Sequence, residues 1–129
     1  MSHESQVREA AARLVAAFAA NDTASYFACF SEDATFVFHT LAQPLLSRQA
    51  YQALWQQWQL DGFAVLACRS SNAHVSLQGD VAIFIHDVAT QLRLAGEEHQ
   101  LQERETIVFR FENRRWLACH EHLSAPSPN

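Results

Sequence analysis

The segment QERETIVFRFENRRWLACHEHLS, residues 102–124, decides the fold because it contains two strand-like runs joined by a polar turn. Apolar side chains recur at every second position of the first run and at three positions of one parity in the second: Ile107, Phe109 and Phe111, then Leu117, Cys119 and Leu123. This alternation is typical of strands with one buried face. The two apolar sets share a face only if the loop has an odd length, so we predict a three-residue turn at 112–114 with a bulge. A two-residue turn would pair Phe111 with Trp116 and mix the faces.

That register places two carboxylates, Glu105 and Glu121, opposite each other on the apolar face. Like charges that face each other across an antiparallel pair repel, so one carboxyl should have a raised pKa or a cation nearby. A short turn around Gly96 puts His86 of the preceding strand on the same face. We interpret His86, Glu105 and Glu121 as candidate catalytic or ligand-orienting residues. The alternative is a structural polar network, or a wide pocket mouth in which all three side chains are solvated.

The opposite face of the same strands carries apolar side chains between arginines and histidines. Such a surface is costly to leave in water, so we expect a second copy of the chain to cover it in a homodimer or a larger ring. His120 and His122 also have a spacing that metal sites use, but no third ligand is evident on their face, so we predict no metal site. The predicted dimer interface comprises Ile83, Ile85, Arg104, Val108, Arg110, Trp116, His120 and His122.

The rest of the chain divides into helical periodicity first and strand periodicity afterwards. Three helices are predicted at residues 5–20, 23–30 and 47–60. Asp22 and Ser47 are the expected N-caps of the second and third helices. A short β-type run is predicted at 34–39, and four long strands at 63–78, 81–94, 98–111 and 115–124. This order predicts an α+β domain in which three N-terminal helices pack on one face of a curved antiparallel sheet.

Helices on one face of a curved sheet leave a cone-shaped pocket between the two layers. We expect this pocket to hold a small, partly apolar molecule, since aromatic residues from the helices and the first strand surround it. The predicted ligand-binding residues are Tyr26, Phe38, Trp55, Trp58, His86, Glu105, Ile107 and Glu121.

Length, charge and motif content exclude several classes of function. The 129 residues suit one domain spanning 1–129, with a loose tail at 125–129. A formal net charge of −5 gives no electrostatic basis for binding nucleic acid or an anionic membrane. The sequence has no secretion signal and no apolar run of the roughly 20 residues that span a bilayer, so we expect a cytoplasmic protein. It contains no nucleotide-binding, nucleophile-elbow or zinc-hydrolase motif, and we predict no cofactor.

Four segments, taken in order, resemble the NTF2-like superfamily, and within it the SnoaL-like branch that includes the association domain of calcium/calmodulin-dependent kinase II. They are VREAAARLVAAFAANDTASYFACFSEDATFVF (7–38), LLSRQAYQALWQQW (45–58), HVSLQGDVAIFIHDVATQ (74–91) and RETIVFRFENRRWLACHEHLSAP (104–126). The resemblance implies a cystatin-like cone with a pocket between helices and sheet, and dimers or rings built through the outer sheet face.

This sequence departs from the kinase association domain inside the pocket. That domain holds small carboxylates with basic residues, whereas the matching positions here carry His86, Ile107 and Leu123. We therefore favour a stand-alone binding domain for a partly apolar molecule. The alternatives are an enzyme that uses the trio of His86, Glu105 and Glu121 for isomerase- or hydrolase-type acid–base chemistry, and a structural oligomerisation module with a filled cone.

Overall fold

The computed structural model describes residues 2–125, which form three helices and five strands. The helices are α1 (His3–Ala19), α2 (Thr23–Ala28) and α3 (Arg48–Leu60). The strands are β1 (Phe30–Phe38), β2 (Ala64–Gln78), β3 (Val81–Leu94), β4 (Glu97–Glu112) and β5 (Arg115–Ser124). The tail predicted at 125–129 lies outside the described residues apart from Ala125. None of the helices within residues 2–125 combines the length and the apolar character needed to cross a lipid bilayer.

Side-chain caps fix where each helix begins. The side chains of Ser2, Asp22 and Ser47 accept hydrogen bonds from backbone N–H groups three residues further on. These bonds satisfy donors that the first helical turn leaves without partners. The caps predicted at Asp22 and Ser47 are confirmed.

The second helix is two residues shorter than predicted, because the chain enters the sheet early. Phe30 already pairs with Ala118 of β5, and the backbone N–H of Ala118 donates to the carbonyl oxygen of Cys29 at 2.9 Å. Arg48 of α3 donates a hydrogen bond to the Phe30 carbonyl from the other side. Pairing with a distant strand therefore overrides the local helical preference of this segment.

The sheet has the order β1-β5-β4-β3-β2. Strands β2 to β5 form the predicted antiparallel meander, and β1 adds to its edge in parallel with β5. The helices cover one face of the sheet, here called the inner face, and the other is called the outer face. The fold is the predicted α+β arrangement of helices on a curved sheet.

The β4–β5 hairpin closes with a two-residue turn, so the predicted three-residue turn is wrong. Asn113 and Arg114 have φ values of 52° and 65°, which is the backbone of a type I′ turn. Glu112 consequently pairs with Arg115, and Phe111 with Trp116.

A bulge within β5 then changes the register of the hairpin. Ala118 pairs with Phe109 and His120 pairs with Val108, which leaves Cys119 as an extra residue in β5. Beyond the bulge, Glu121 lies opposite Ile107 on the inner face. The alternation of inner and outer side chains is therefore interrupted within β5, at Cys119, and not at the turn.

The two-residue turn pairs Trp116 with Phe111 and places it on the inner face, so its predicted position in the outer dimer interface is wrong. Its side chain is buried. The indole Nε1 donates to Gln6 Oε1 of α1 at 3.3 Å, and the ring lies 5.5 Å from that of His3. Trp116 therefore anchors the start of α1 to the sheet.

Candidate functional site

A cavity of about 390 Å³ lies between the helices and the inner face of the sheet. Most of its wall is apolar, and the aromatic part of the lining consists of Phe18, Tyr26, Phe38, Tyr51, Trp58 and Phe63. The exposed ends of β3 and β4 form its rim, where Leu94 and His99 stand. The cavity is thus a cone with an apolar wall and one open end.

Three glutamates from β4 and β5 line this cavity: Glu103, Glu105 and Glu121. Glu103 and Glu105 alternate along β4, and Glu121 comes from β5. All three side chains are buried, with exposed fractions of 7%, 8% and 2%. Carboxyl groups are seldom buried unless a partner or a proton neutralises them, so this group needs an explanation.

Glu121 has no compensating partner at one of its oxygens. Its Oε2 atom is buried and makes no hydrogen bond within the described part of the chain. The pKa of Glu121 lies well above its ordinary value because the carboxyl is desolvated, stands in the field of Glu105 and hydrogen-bonds with it. Of the two carboxyls, Glu121 is therefore the one whose surroundings favour the protonated form. The expectation that one of the two carboxyls has a raised pKa agrees with this arrangement, although they lie diagonally across the strands and not directly opposite.

Glu105 belongs to a hydrogen-bonded chain that starts at Ser70. The Oγ atom of Ser70 lies 2.6 Å from Nδ1 of His86, and Nε2 of His86 lies 2.7 Å from Oε1 of Glu105. His86 is 1% exposed, while Ser70 is exposed on β2 beside a groove against α1. Both imidazole nitrogens of His86 therefore make hydrogen bonds. The series of hydrogen bonds connects solvent at Ser70 to the carboxyl of Glu105 in the cavity.

Two tyrosines complete the polar end of the cavity. The hydroxyl groups of Tyr26 and Tyr51 lie 2.9 Å apart and are buried. Burial raises the pKa of each phenol above its ordinary value. Both phenols therefore stay neutral, and one hydroxyl proton of the pair remains available to a further acceptor.

Sequence analysis missed the pair formed by His39 and Glu103. His39 Nε2 lies within hydrogen-bonding distance of Glu103 Oε2 at the end of β1. Glu103 could have been found, because it shares the alternation that identified Glu105. His39 could not, because its position depends on the parallel pairing of β1 with β5, which connects residues far apart in sequence. Tyr51, another lining residue not predicted, is on the same helix face as Trp55 and Trp58.

Of the eight predicted ligand-binding residues, five line the cavity: Tyr26, Phe38, Trp58, Glu105 and Glu121. Trp55, His86 and Ile107 do not, because they are buried behind its wall. The indole Nε1 of Trp55 donates to Thr23 Oγ1 of α2, which ties α3 to α2. His86 still acts on the cavity through its hydrogen bond to Glu105.

The outer face carries the remaining residues predicted at a dimer interface. Ile85 is 36% exposed, and Ile83 and Val108 beside it are half-buried. Arg104 pairs with Asp87, and Arg110 pairs with both Asp33 and Glu112. His120 Nδ1 hydrogen-bonds with Thr35 Oγ1, while His122 is exposed.

Between residues 2 and 125, no group of three or more His, Cys, Asp or Glu side chains has the geometry to hold a metal ion.

A family profile described as a SnoaL-like domain matches residues 7–128. The chain belongs to the SnoaL-like family. No curated protein matches this sequence.

Solved structures of NTF2-like proteins share this SnoaL-like fold. An NTF2-like protein from Cytophaga hutchinsonii superposes with a TM-score of 0.84 at 13% identity, over 98% of this chain and 100% of that one. A provisionally assigned calcium/calmodulin dependent protein kinase II association domain from Xanthomonas campestris gives 0.81 at 17% identity, over 100% and 91%. An NTF2-like protein with a cystatin-like fold from Novosphingobium aromaticivorans gives 0.75 at 19%, over 98% and 83%. At these identities the similarity establishes the fold.

Proposed function

We propose that this SnoaL-like protein binds a small, partly apolar molecule in its cone, with Glu105 and Glu121 as polar anchors. The supporting observation is the Oε2 atom of Glu121, a buried polar atom without a partner beside an otherwise apolar cavity. Leaving such an atom unsatisfied costs about 1–3 kcal/mol, and a polar group of a ligand would recover part of this cost.

The size and the lining of the cavity support the same proposal. A volume of about 390 Å³ falls in the range of roughly 300–1,000 Å³ that is common for small-molecule sites. An apolar wall with a few convergent polar groups is also the usual composition of such sites. His86 would fix the orientation of Glu105 through their 2.7 Å hydrogen bond.

A neutral fluorescent probe tests binding without knowledge of the natural ligand. N-phenyl-1-naphthylamine should bind the wild-type protein and increase in fluorescence. Leu101→Trp places a large side chain in the cavity wall near its rim and should weaken binding at least about tenfold. Leu77→Trp, on β2 away from the cavity, should bind as the wild type does. Equal binding by all three proteins, or no binding to the wild type, would reject the proposal.

Acid–base catalysis is a second candidate function, and one observation favours it. Glu121 and Glu105 lie together in one cavity, but burial raises the pKa of Glu121 while Glu105 is hydrogen-bonded to His86. Paired carboxyls with different surroundings can act as acid and base. For any compound that the wild-type protein converts, Glu105→Gln should abolish turnover and leave affinity nearly unchanged. A parallel loss of affinity and turnover would reject the catalytic role.

We further propose that two copies of the chain associate through the outer face. The apolar strip formed by Ile83, Ile85 and Val108 lies between arginines that are already paired with carboxylates. A partner could cover this strip without leaving an unpaired charge, which is the arrangement of many homodimer interfaces.

A further inference from the structure

The charge of the cavity lining is one-sided. Three carboxyl groups border the cavity, from Glu103, Glu105 and Glu121. The chain contains nine basic residues, all of them arginines, and none of those described borders the cavity. The imidazoles of His39 and His86 are occupied by Glu103 and Glu105, and that of His99 lies at the open rim. The side chains that can carry a charge at the polar end of the cavity are therefore carboxyls.

Glu121 has no protein partner of the kind that the other two glutamates have. His39 and His86 each contribute one hydrogen bond to a carboxyl of β4, whereas no side chain among residues 2–125 hydrogen-bonds with Oε2 of Glu121. Its unpartnered Oε2 is buried at the cavity lining. An ammonium group on the cavity side would donate to Oε2 and favour the carboxylate form of Glu121, because a nearby positive charge lowers the pKa of a carboxyl.

The aromatic wall is suited to the body of the same ligand. Rings of Tyr26, Phe38, Tyr51 and Trp58 line the cavity together with the glutamates. Aromatic faces attract cations that are held near them in a desolvated site. A carboxylate ligand has the opposite properties, because it would add a negative group beside buried carboxyls with no arginine to neutralise it.

We propose that the cone selects an apolar amine, whose ammonium group donates to Glu121 and Glu105 and whose hydrocarbon body packs on the aromatic wall. This inference rests on the proposed binding function and specifies the chemical class of the ligand.

Three probes of one shape test the class by isothermal titration calorimetry at neutral pH: 3-phenylpropylamine, 3-phenylpropanol and 3-phenylpropanoate. The amine should bind at least about tenfold more tightly than the alcohol, and the carboxylate should bind more weakly than both. If the alcohol binds as tightly as the amine, or the carboxylate binds most tightly, the amine class is wrong and binding in the cone still holds. If none of the three binds and N-phenyl-1-naphthylamine also fails to bind, both proposals are wrong.

Variants locate the selectivity at Glu121. Glu121→Gln keeps the shape of the side chain but cannot ionise, so it should reduce the amine-to-alcohol preference at least about fivefold and leave the affinity for the alcohol within about twofold. Glu9→Gln makes the same substitution at an exposed position of α1 and should keep the wild-type preference. A preference retained by Glu121→Gln, or lost equally in Glu9→Gln, would contradict recognition by Glu121.

Discussion

Glu121 shows how one residue can set the properties of the whole site. Its carboxyl lies on the inner face beside Glu105, and both groups are removed from water. Two such carboxyls cannot both carry a charge at low energetic cost, so the proton stays on the one with less solvation and no basic partner. The surroundings of Glu105 and Glu121 thus differ because His86 serves only one of them.

The raised pKa of Glu121 predicts a pH-dependent stability. A carboxyl that holds its proton more tightly when folded contributes stability fully below its ordinary pKa of 4.5 and loses it as pH rises through the raised folded value. Glu121→Gln removes this dependence. Urea unfolding between acid and mildly alkaline pH should therefore show the variant gaining stability relative to the wild type as pH rises, by at least about 1 kcal/mol.

The control for this measurement is Glu9→Gln, whose carboxyl is exposed on α1. Its stability should follow the wild-type curve at every pH. Parallel curves for the wild type and Glu121→Gln would show that Glu121 is charged in the folded protein, which would remove the acid from the proposed acid–base pair.

At the scale of elements, the β4–β5 hairpin determines which side chains reach the cavity. Its type I′ turn requires positive φ at two successive residues, and the second of them is Arg114. Glycine adopts this backbone without steric cost, whereas arginine does not. The bulge at Cys119 then brings Glu121 to the inner face. The turn sets the register from Arg115 to Ala118, and the bulge shifts it by one residue so that Glu121 faces the cavity.

Substitution of Arg114 tests this description of the turn. Arg114→Gly should raise the free energy of unfolding by about 0.5–1 kcal/mol, since the native backbone there is one that glycine prefers. Arg115→Gly, at the neighbouring strand position, should lower it by a similar amount because glycine weakens strands. Chemical denaturation measures both. A loss of stability in Arg114→Gly would mean that the arginine side chain contributes more than its backbone costs.

The same hairpin shows what sequence alone can and cannot predict. Residue alternation correctly identified strands β2 to β5 and the inner-face position of His86, because these follow from a period of two. The shared face of Glu105 and Glu121 was predicted from the wrong turn, and the structure reaches it through the bulge. The alternation was compatible with two registers of the hairpin. A three-residue turn, or a two-residue turn followed by a bulge, shifts the register by one residue and places Glu121 on the inner face. Trp116 was misplaced for this reason. β1 was found only in part, because its first residues are held by pairing with β5.

At the scale of the whole molecule, the two faces of the sheet have different chemistry. The inner face holds the carboxyls and the aromatic wall under the helices, and the outer face holds branched aliphatic side chains between ion pairs. Ile85 is the most exposed of the three aliphatic residues on the outer strip. A partner on the outer face would leave the mouth of the cone open, so binding in the cavity and association of subunits can occur together.

The proposed association of two copies predicts a specific effect of charge on the outer face. Sedimentation velocity at micromolar concentration should show the wild-type protein as a dimer. Ile85→Glu places a carboxylate in the centre of the apolar strip and should shift the protein to monomer, because a buried unpaired charge costs several kcal/mol. Leu60→Glu, at a position 78% exposed at the end of α3, should remain dimeric. A wild-type monomer would reject the dimer, and a dimer that persists in Ile85→Glu would place the contact on another surface.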